Sequence, residues 1–252
     1  MASTLERLLA RAGVVGRPAI LDGGFGQLLA DEAPELDLSD GLWASGVAVR
    51  SPGMVRAIHR RFLEAGADII STATYQASAQ GYVAAGIAAD EAAADNVMAA
   101  ALEIAVDARN EHMSRTPVCS RPLIAASLGS IGATLSNLSE YTGDYGHGMT
   151  ETNIRKFHLQ RLLLLARCLQ MPRLREQIDL VAIETIPSLM ETSAVVSALH
   201  DLSQRRVELP PTWISFTAST DGCVGHGEPI EAVIGAAANS PSVCAVGFNC
   251  IP

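Results

Sequence analysis

The sequence predicts an α/β fold built on a parallel sheet, and three observations predict it. Six short runs are almost continuously apolar instead of alternating, as strands read when both faces of a sheet are covered. Segments of helical period lie between them, so strand and helix alternate, the pattern of βα units with right-handed crossovers. The polar residues of the six runs gather at the C-terminal ends of the runs.

In chain order, the first strand is AILDGG, Ala19–Gly24. A long loop follows, Leu29 to Arg50. Ser51-Pro52 then supplies an N-cap and first helical residue for a helix that stops at Gly66. ADIISTA, Ala67–Ala73, is the second strand, and the Ala-rich stretch Asp90–Glu111 the next helix. LIAASLG, Leu123–Gly129, is the third strand. It leads into the Gly-, Ser- and Tyr-rich loop Leu135–Met149, of a length common in binding loops and lids. A T-E-T-N cluster opens the helix Thr150–Leu169. The strands Leu180–Ile186, Thr212–Ala218 and Cys244–Cys250 then alternate with the helices Ser188–Gln204 and Glu228–Asn239. Gly13–Arg17 and Thr116–Ser120 are two further places for a short strand.

Composition bounds the function. The 252 residues are 48% hydrophobic but only 4% aromatic, so one sizeable core must be built from Ala, Val, Ile and Leu. The net charge of -9 argues against nucleic acid and anionic membrane surfaces as partners. The N-terminal stretch mixes Glu and Arg into its apolar residues, unlike a signal peptide, and no apolar run approaches the ~20 residues of a membrane span. Five cysteines, an odd number without C-x-x-C, point to a reducing, cytoplasmic setting. Cys168 and Cys244 read as core thiols, and Cys119 and Cys223 as loop residues. The spacing of Cys223 and His226 is that of an ordinary turn. His59, His112, His147, His158 and His200 read as solvated side chains. GSIGA, Gly129–Ala133, matches no phosphate-loop motif.

The strand ends carry the chemistry. They hold Asp22; Thr72 and Thr74; Ser127 and Ser130; Glu184 and Thr185; Thr217; and Asn249 and Cys250. In a (β/α)8 barrel, active sites are assembled at that face from several strands. Asp22 and Glu184 are the most informative, because an unpaired charge within an apolar strand is costly. Their partner is either the cationic group of a ligand or a structural Arg or Lys.

Five stretches resemble the homocysteine S-methyltransferases. They are ILDGGFGQLL (Ile20–Leu29), HRRFLEAGADIISTATYQAS (His59–Ser78), ASLGSIGATLSNLSEYTGDYG (Ala126–Gly146), LVAIETIPSLMETSAV (Leu180–Val195) and GFNCIP (Gly247–Pro252). The S-E-Y-T-G-D-Y segment is closest to the branch that uses S-methylmethionine. The resemblance implies a (β/α)8 TIM barrel, incomplete here at about six βα units. It implies one homocysteine-binding domain over residues 1–252 whose C-terminal part is missing. It also implies a zinc ion held by three thiolates. Cys250 matches one of them, as metal ligand and catalytic residue, while the adjacent pair of a G-G-C-C motif is absent from the sequence. By the same resemblance, Asp22 and Glu184 hold the homocysteine ammonium with backbone groups near Gly23 and Gly24. Thr72, Thr74 and Tyr75 line the pocket, and Ser127 and Asn249 contact substrate.

The expected substrates are homocysteine and a methyl donor, and the product is methionine. Two other readings stay open. One is a truncated, inactive member that binds an amino acid or a partner chain. The other is a metal-free enzyme using Asp22 and Glu184 as an acid/base pair.

Overall fold

The computed structural model describes residues 4–36, 41–115, 121–135, 137–219 and 221–251. Four helices precede the first strand: α1 (Thr4–Arg11), α2 (Phe25–Glu32), α3 (Trp43–Arg50) and α4 (Pro52–Glu64). After β1 (Ile69–Ser71) come α5 (Ala79–Ala84) and α6 (Ala93–Arg115). β2 (Leu123–Gly129) leads through a short 3-10 turn and α7 (Ser139–Thr142) to α8 (Glu151–Leu169). β3 (Leu180–Ile186), α9 (Leu189–Gln204), β4 (Thr212–Phe216), α10 (Ile230–Ala238) and β5 (Val243–Phe248) complete the order.

The five strands lie side by side in sequence order, all parallel. Ile70, Ile124, Ala126, Val181 and Ile183 face one way, into a core shared with the surrounding helices. Their neighbours Ile69, Leu123, Ala125, Leu180 and Ala182 face the other way, onto Leu5, Leu8 and Leu9 of α1. Both faces are therefore covered, which is why these strands read as unbroken apolar runs. Helix starts follow the sequence closely. Pro52 opens α4, and the chain turns out of it at Gly66, whose φ of +97° suits glycine. Thr150 and Asn153 form a reciprocal capping box at α8, and Ser188 caps α9 by accepting from the Glu191 N–H.

Five expectations need correction. The first strand, Ala19–Gly24, is reduced to a one-residue bridge between Leu21 and Ile69, because its partner β1 is itself only three residues long. The stretch Leu29–Arg50 is not a loop: α2 ends in it and α3 lies within it. Helix α3 hid because Ala44 to Ala48 are all buried, so it shows no polar stripe to betray a helical period. His59 and His158 are buried, not solvated. Cys244 is only half-buried, because β5 is an outer strand of the described sheet. No strand forms at Gly13–Arg17, while Thr116–Ser120, with Cys119, lies outside the described residues.

The sheet is thus an open arc of five strands plus the Leu21 bridge, and its two outer positions carry exposed apolar side chains. These are Ile20 and Leu21 at one side and Val246 and Phe248 at the other.

Candidate active site

A cavity of about 1120 Å³ opens at the C-terminal ends of the strands. Asp22, Gly23 and Gly24 line it from the first bridge, and Thr72 and Tyr75 from the end of β1. Ser127, Glu184, Asn249 and Cys250 line it from the ends of β2, β3 and β5. Nine of the ten sequence-predicted site residues therefore meet around one space. The tenth, Thr74, is fully buried behind it, and its hydroxyl donates to the Ser127 carbonyl at 2.8 Å. Thr72 shares that work, 2.6 Å from the Thr74 hydroxyl and accepting from the Ser127 N–H at 3.1 Å. Together they tie the loop after β1 to β2.

The two carboxylates are held by neutral donors. Asp22 accepts from the Ser71 N–H at 2.6 Å and the Ser71 hydroxyl at 3.1 Å. Glu184 accepts from the Ser127 hydroxyl at 2.7 Å. Among the described residues no Lys, Arg or His offsets either charge. Burial pushes Asp22 up to about 7, with the nearby Glu184 adding to the rise, and burial raises Glu184 as well.

Glu184 is aimed by an irregularity in its strand. The register of β3 against β4 slips between Ile183 and Ile186, and Thr185 takes a left-handed φ of +59°. That conformation is rare for a β-branched residue and marks a strained site. Asn249 stabilises it. Its Oδ1 accepts from the Thr185 N–H at 3.1 Å, and its Nδ2 donates to the Thr185 hydroxyl at 2.8 Å. The Asn249 amide is thus engaged in orienting the end of β3. Cys250 follows, also left-handed at φ +50°, its thiol raised by burial and by the charges of Glu184 and Glu140.

Behind the cavity lies a buried polar frame that sequence reading missed. The Arg161 guanidinium, fully buried, donates to the carbonyls of Tyr75, Ala77 and Gly129 at 2.6 to 2.7 Å. It so fixes the loop after β1 and the end of β2. Gly129 leaves room for the Tyr75 ring, which an added Cβ would meet at 2.6 Å. Glu191, equally buried, accepts from the Ile131 N–H and lies 2.7 Å from His158 Nε2, while the Tyr145 hydroxyl donates to its other oxygen. The loop Leu135–Met149 is anchored through Tyr145. Its residues Glu140 and Tyr141 line the cavity, as do Phe25 and Trp43, and none of these was singled out from sequence. The His158 and Arg161 signal was present: with Ile154 and Leu165 they repeat at helical spacing on one face of α8.

The fold is that of a parallel α/β protein with a cavity at the carboxyl ends of the strands, where such folds place their ligand sites. A family model described as homocysteine S-methyltransferase matches residues 19–252, and the chain belongs to that family. It is 36% identical over 253 residues to Homocysteine S-methyltransferase 1 of Zea mays, covering 98% of this chain and 72% of that protein. It is 37% identical over 247 residues to Homocysteine S-methyltransferase 2 of Arabidopsis thaliana, covering 94% of this chain and 69% of that one. Among solved structures, the oxidized form of the homocysteine methyltransferase MmuM from Escherichia coli superposes with a TM-score of 0.80 at 31% identity. It matches over 97% of this chain and 77% of that chain. The metallated form of the same enzyme gives 0.79 at 30%.

Proposed function

We propose that the protein transfers a methyl group from a sulfonium donor such as S-methylmethionine to the sulfur of homocysteine, giving methionine. The observation that carries this is the pair Asp22 and Glu184. Two partly buried carboxylates share one cavity, and among the described residues no cation offsets either. An amino acid's ammonium group supplies the missing charge, and the favourable pairing offsets the cost of burying them. Family membership and the 36% and 37% identities support homocysteine as that amino acid.

In this reading Asp22 and Glu184 bind the ammonium, assisted by the backbone at Gly23 and Gly24. Ser127 and Ser71 keep the two carboxylates oriented, and Asn249 holds the Thr185 kink that aims Glu184. The substrate sulfur points toward Cys250, with Tyr75 and Thr72 as walls. The homocysteine thiol loses its proton to solvent, and the thiolate pair forms the new S–CH3 bond. The donor's S–CH3 bond breaks, and its electron pair stays on the donor sulfur, which becomes a neutral thioether. The donor carries its own leaving group, so no general acid is needed, and alignment of the two sulfurs supplies the rate.

Zinc would ionise the thiol, and Cys250 is the residue that would ligate it. The donors at hand do not fit that ion. Among the described residues no three His, Cys, Asp or Glu side chains are grouped to hold a metal, and zinc takes three or four protein ligands. No step is therefore assigned to it. The chain acts as one homocysteine-binding domain. A cytoplasmic, reducing setting suits its thiols, and no helix among the described residues is long and apolar enough to cross a membrane.

The test is incubation of the protein with homocysteine and S-methylmethionine carrying deuterated methyl groups, read by mass spectrometry. Deuteromethyl-methionine formed from homocysteine is the expected product. Absence of both that product and homocysteine binding contradicts the proposal.

A further inference from the structure

One carboxylate on the cavity has no place in the chemistry above. Glu140 sits on α7, in the loop between β2 and α8, and lines the same space as Cys250, Tyr75 and Tyr141. Its Oε2 is shut off from solvent and has no hydrogen-bond partner among the described residues. Its negative charge is felt at Cys250, Tyr75 and Tyr141 alike, so it lies on the side of the cavity where the sulfur chemistry is assigned.

The position is built and not a loose loop. Gly132 packs so closely under α7 that an added Cβ would run into the backbone of Ser139 and Glu140. Gly225 packs against the Tyr141 carbonyl, and a Cβ at Gly143 would meet the His226 Cβ at 2.9 Å. Tyr145 ties the following residues to the buried Glu191. A carboxylate clamped in place, with one oxygen desolvated and without a hydrogen-bond donor, is costly unless a cation meets that oxygen.

We propose that Glu140 is the specificity residue for the methyl donor: its Oε2, with the faces of Tyr75 and Tyr141, receives the positive sulfur of a sulfonium on the Cys250 side of the cavity. The inference rests on the methyltransferase reading and deepens it. Asp22 and Glu184 take the acceptor's ammonium at one part of the cavity, and Glu140 takes the donor's onium charge at another. Aromatic faces suit such a cation because its charge is spread over methyl groups that cannot donate strong hydrogen bonds.

The chemistry sets the kinetic signature. The donor is cationic in the ground state and is discharged as the methyl leaves. A carboxylate beside it therefore stabilises the bound donor at least as much as the transition state, so its loss raises KM without lowering kcat.

The test compares the wild-type chain with E140Q, an isosteric change, by calorimetric titration with S-methylmethionine and separately with homocysteine. The expected result is an affinity for S-methylmethionine lower by about tenfold, as for loss of a partly buried ion pair. Homocysteine affinity stays within about twofold, which also shows that the variant is folded. In turnover, the donor KM rises while kcat at saturating donor is unchanged or higher. The same loss must appear with dimethylsulfoniopropionate, a sulfonium without an α-amino group. Unchanged binding of S-methylmethionine overturns the proposal, as does an equal loss for homocysteine. A loss confined to the donor with an α-amino group also overturns it, because Glu140 would then read an ammonium. Wild-type protein that binds neither homocysteine nor sulfonium overturns the methyltransferase reading itself.

Discussion

The two ends of one sheet treat their carboxylates in opposite ways. At the N-terminal ends, Asp68 and Asp179 are each paired. Arg17 reaches Asp68 with two contacts of 2.6 Å, and Asp68 also accepts from the Ile20 N–H at 2.8 Å. Arg121 lies 2.7 Å and the buried Arg109 3.4 Å from Asp179, which accepts from the Ile124 N–H at 2.9 Å. Arg17 holds the Asp68 carboxyl below its ordinary range. At the C-terminal ends, Asp22 and Glu184 sit among serines with no cation from the described residues, and burial raises both. The first end spends charge on the fold. The second keeps charge in reserve for a ligand, and stability is lower for it.

That contrast can be broken with four substitutions of decreasing effect. Asp179→Ala leaves the buried Arg109 short of a partner and the Ile124 N–H without its acceptor. It should cost about 3–5 kcal/mol, read as a lower denaturant midpoint. Asp22→Asn should act with the opposite sign. The folded-state value near 7 lies above the unfolded one, so the native state holds the proton more tightly. Stability from this group is present below pH ~4 and is lost as pH rises toward ~7. The Asn variant should match wild type at pH 4 and exceed it by about 2–4 kcal/mol at pH 8, by thermal or chemical unfolding.

Gly129→Ala pushes a methyl into the Tyr75 ring, and overpacking of that kind costs about 1–3 kcal/mol. Homocysteine binding should weaken with it, because Tyr75 walls the cavity; unaltered stability and affinity would show that the ring yields freely. His59 is the smallest case. Both ring nitrogens are buried with no hydrogen-bond partner among the described residues, against Phe25 at 4.9 Å, and burial lowers it to about 3. His59→Leu should stabilise the protein by about 1 kcal/mol at pH 7. The gain should grow as pH falls below ~6.5, where the unfolded histidine takes a proton that the folded one refuses.

Much of this was legible in the sequence, for identifiable reasons. Apolar runs ending in Asp22, Ser127, Glu184, Asn249 and Cys250 pointed to the strand ends as the candidate site, because an unpaired charge within an apolar strand is costly. What escaped was polarity carried by helices and loops. His158 and Arg161 look like surface residues unless their spacing against Ile154 and Leu165 is weighed, and Glu191 in the first turn of α9 reads as an ordinary helix-start acid. Glu140 and Tyr141 reach the cavity only because loop packing against Gly132 and Gly225 brings them there, which no local pattern records. Helix α3, buried along most of its length, offered no period to find.

The central claim is that the unpaired carboxylates await an ammonium, and calorimetric titration of homocysteine into wild type and Glu184→Gln at pH 6 and pH 8 tests it most directly. The account predicts wild-type affinity about tenfold higher at pH 8, because Asp22 must be ionised to bind, with proton release on binding at pH 6. It predicts a loss of about 100-fold in Glu184→Gln with the unfolding midpoint unchanged or raised. Equal affinity in the two proteins, or binding indifferent to pH across that range, would contradict it.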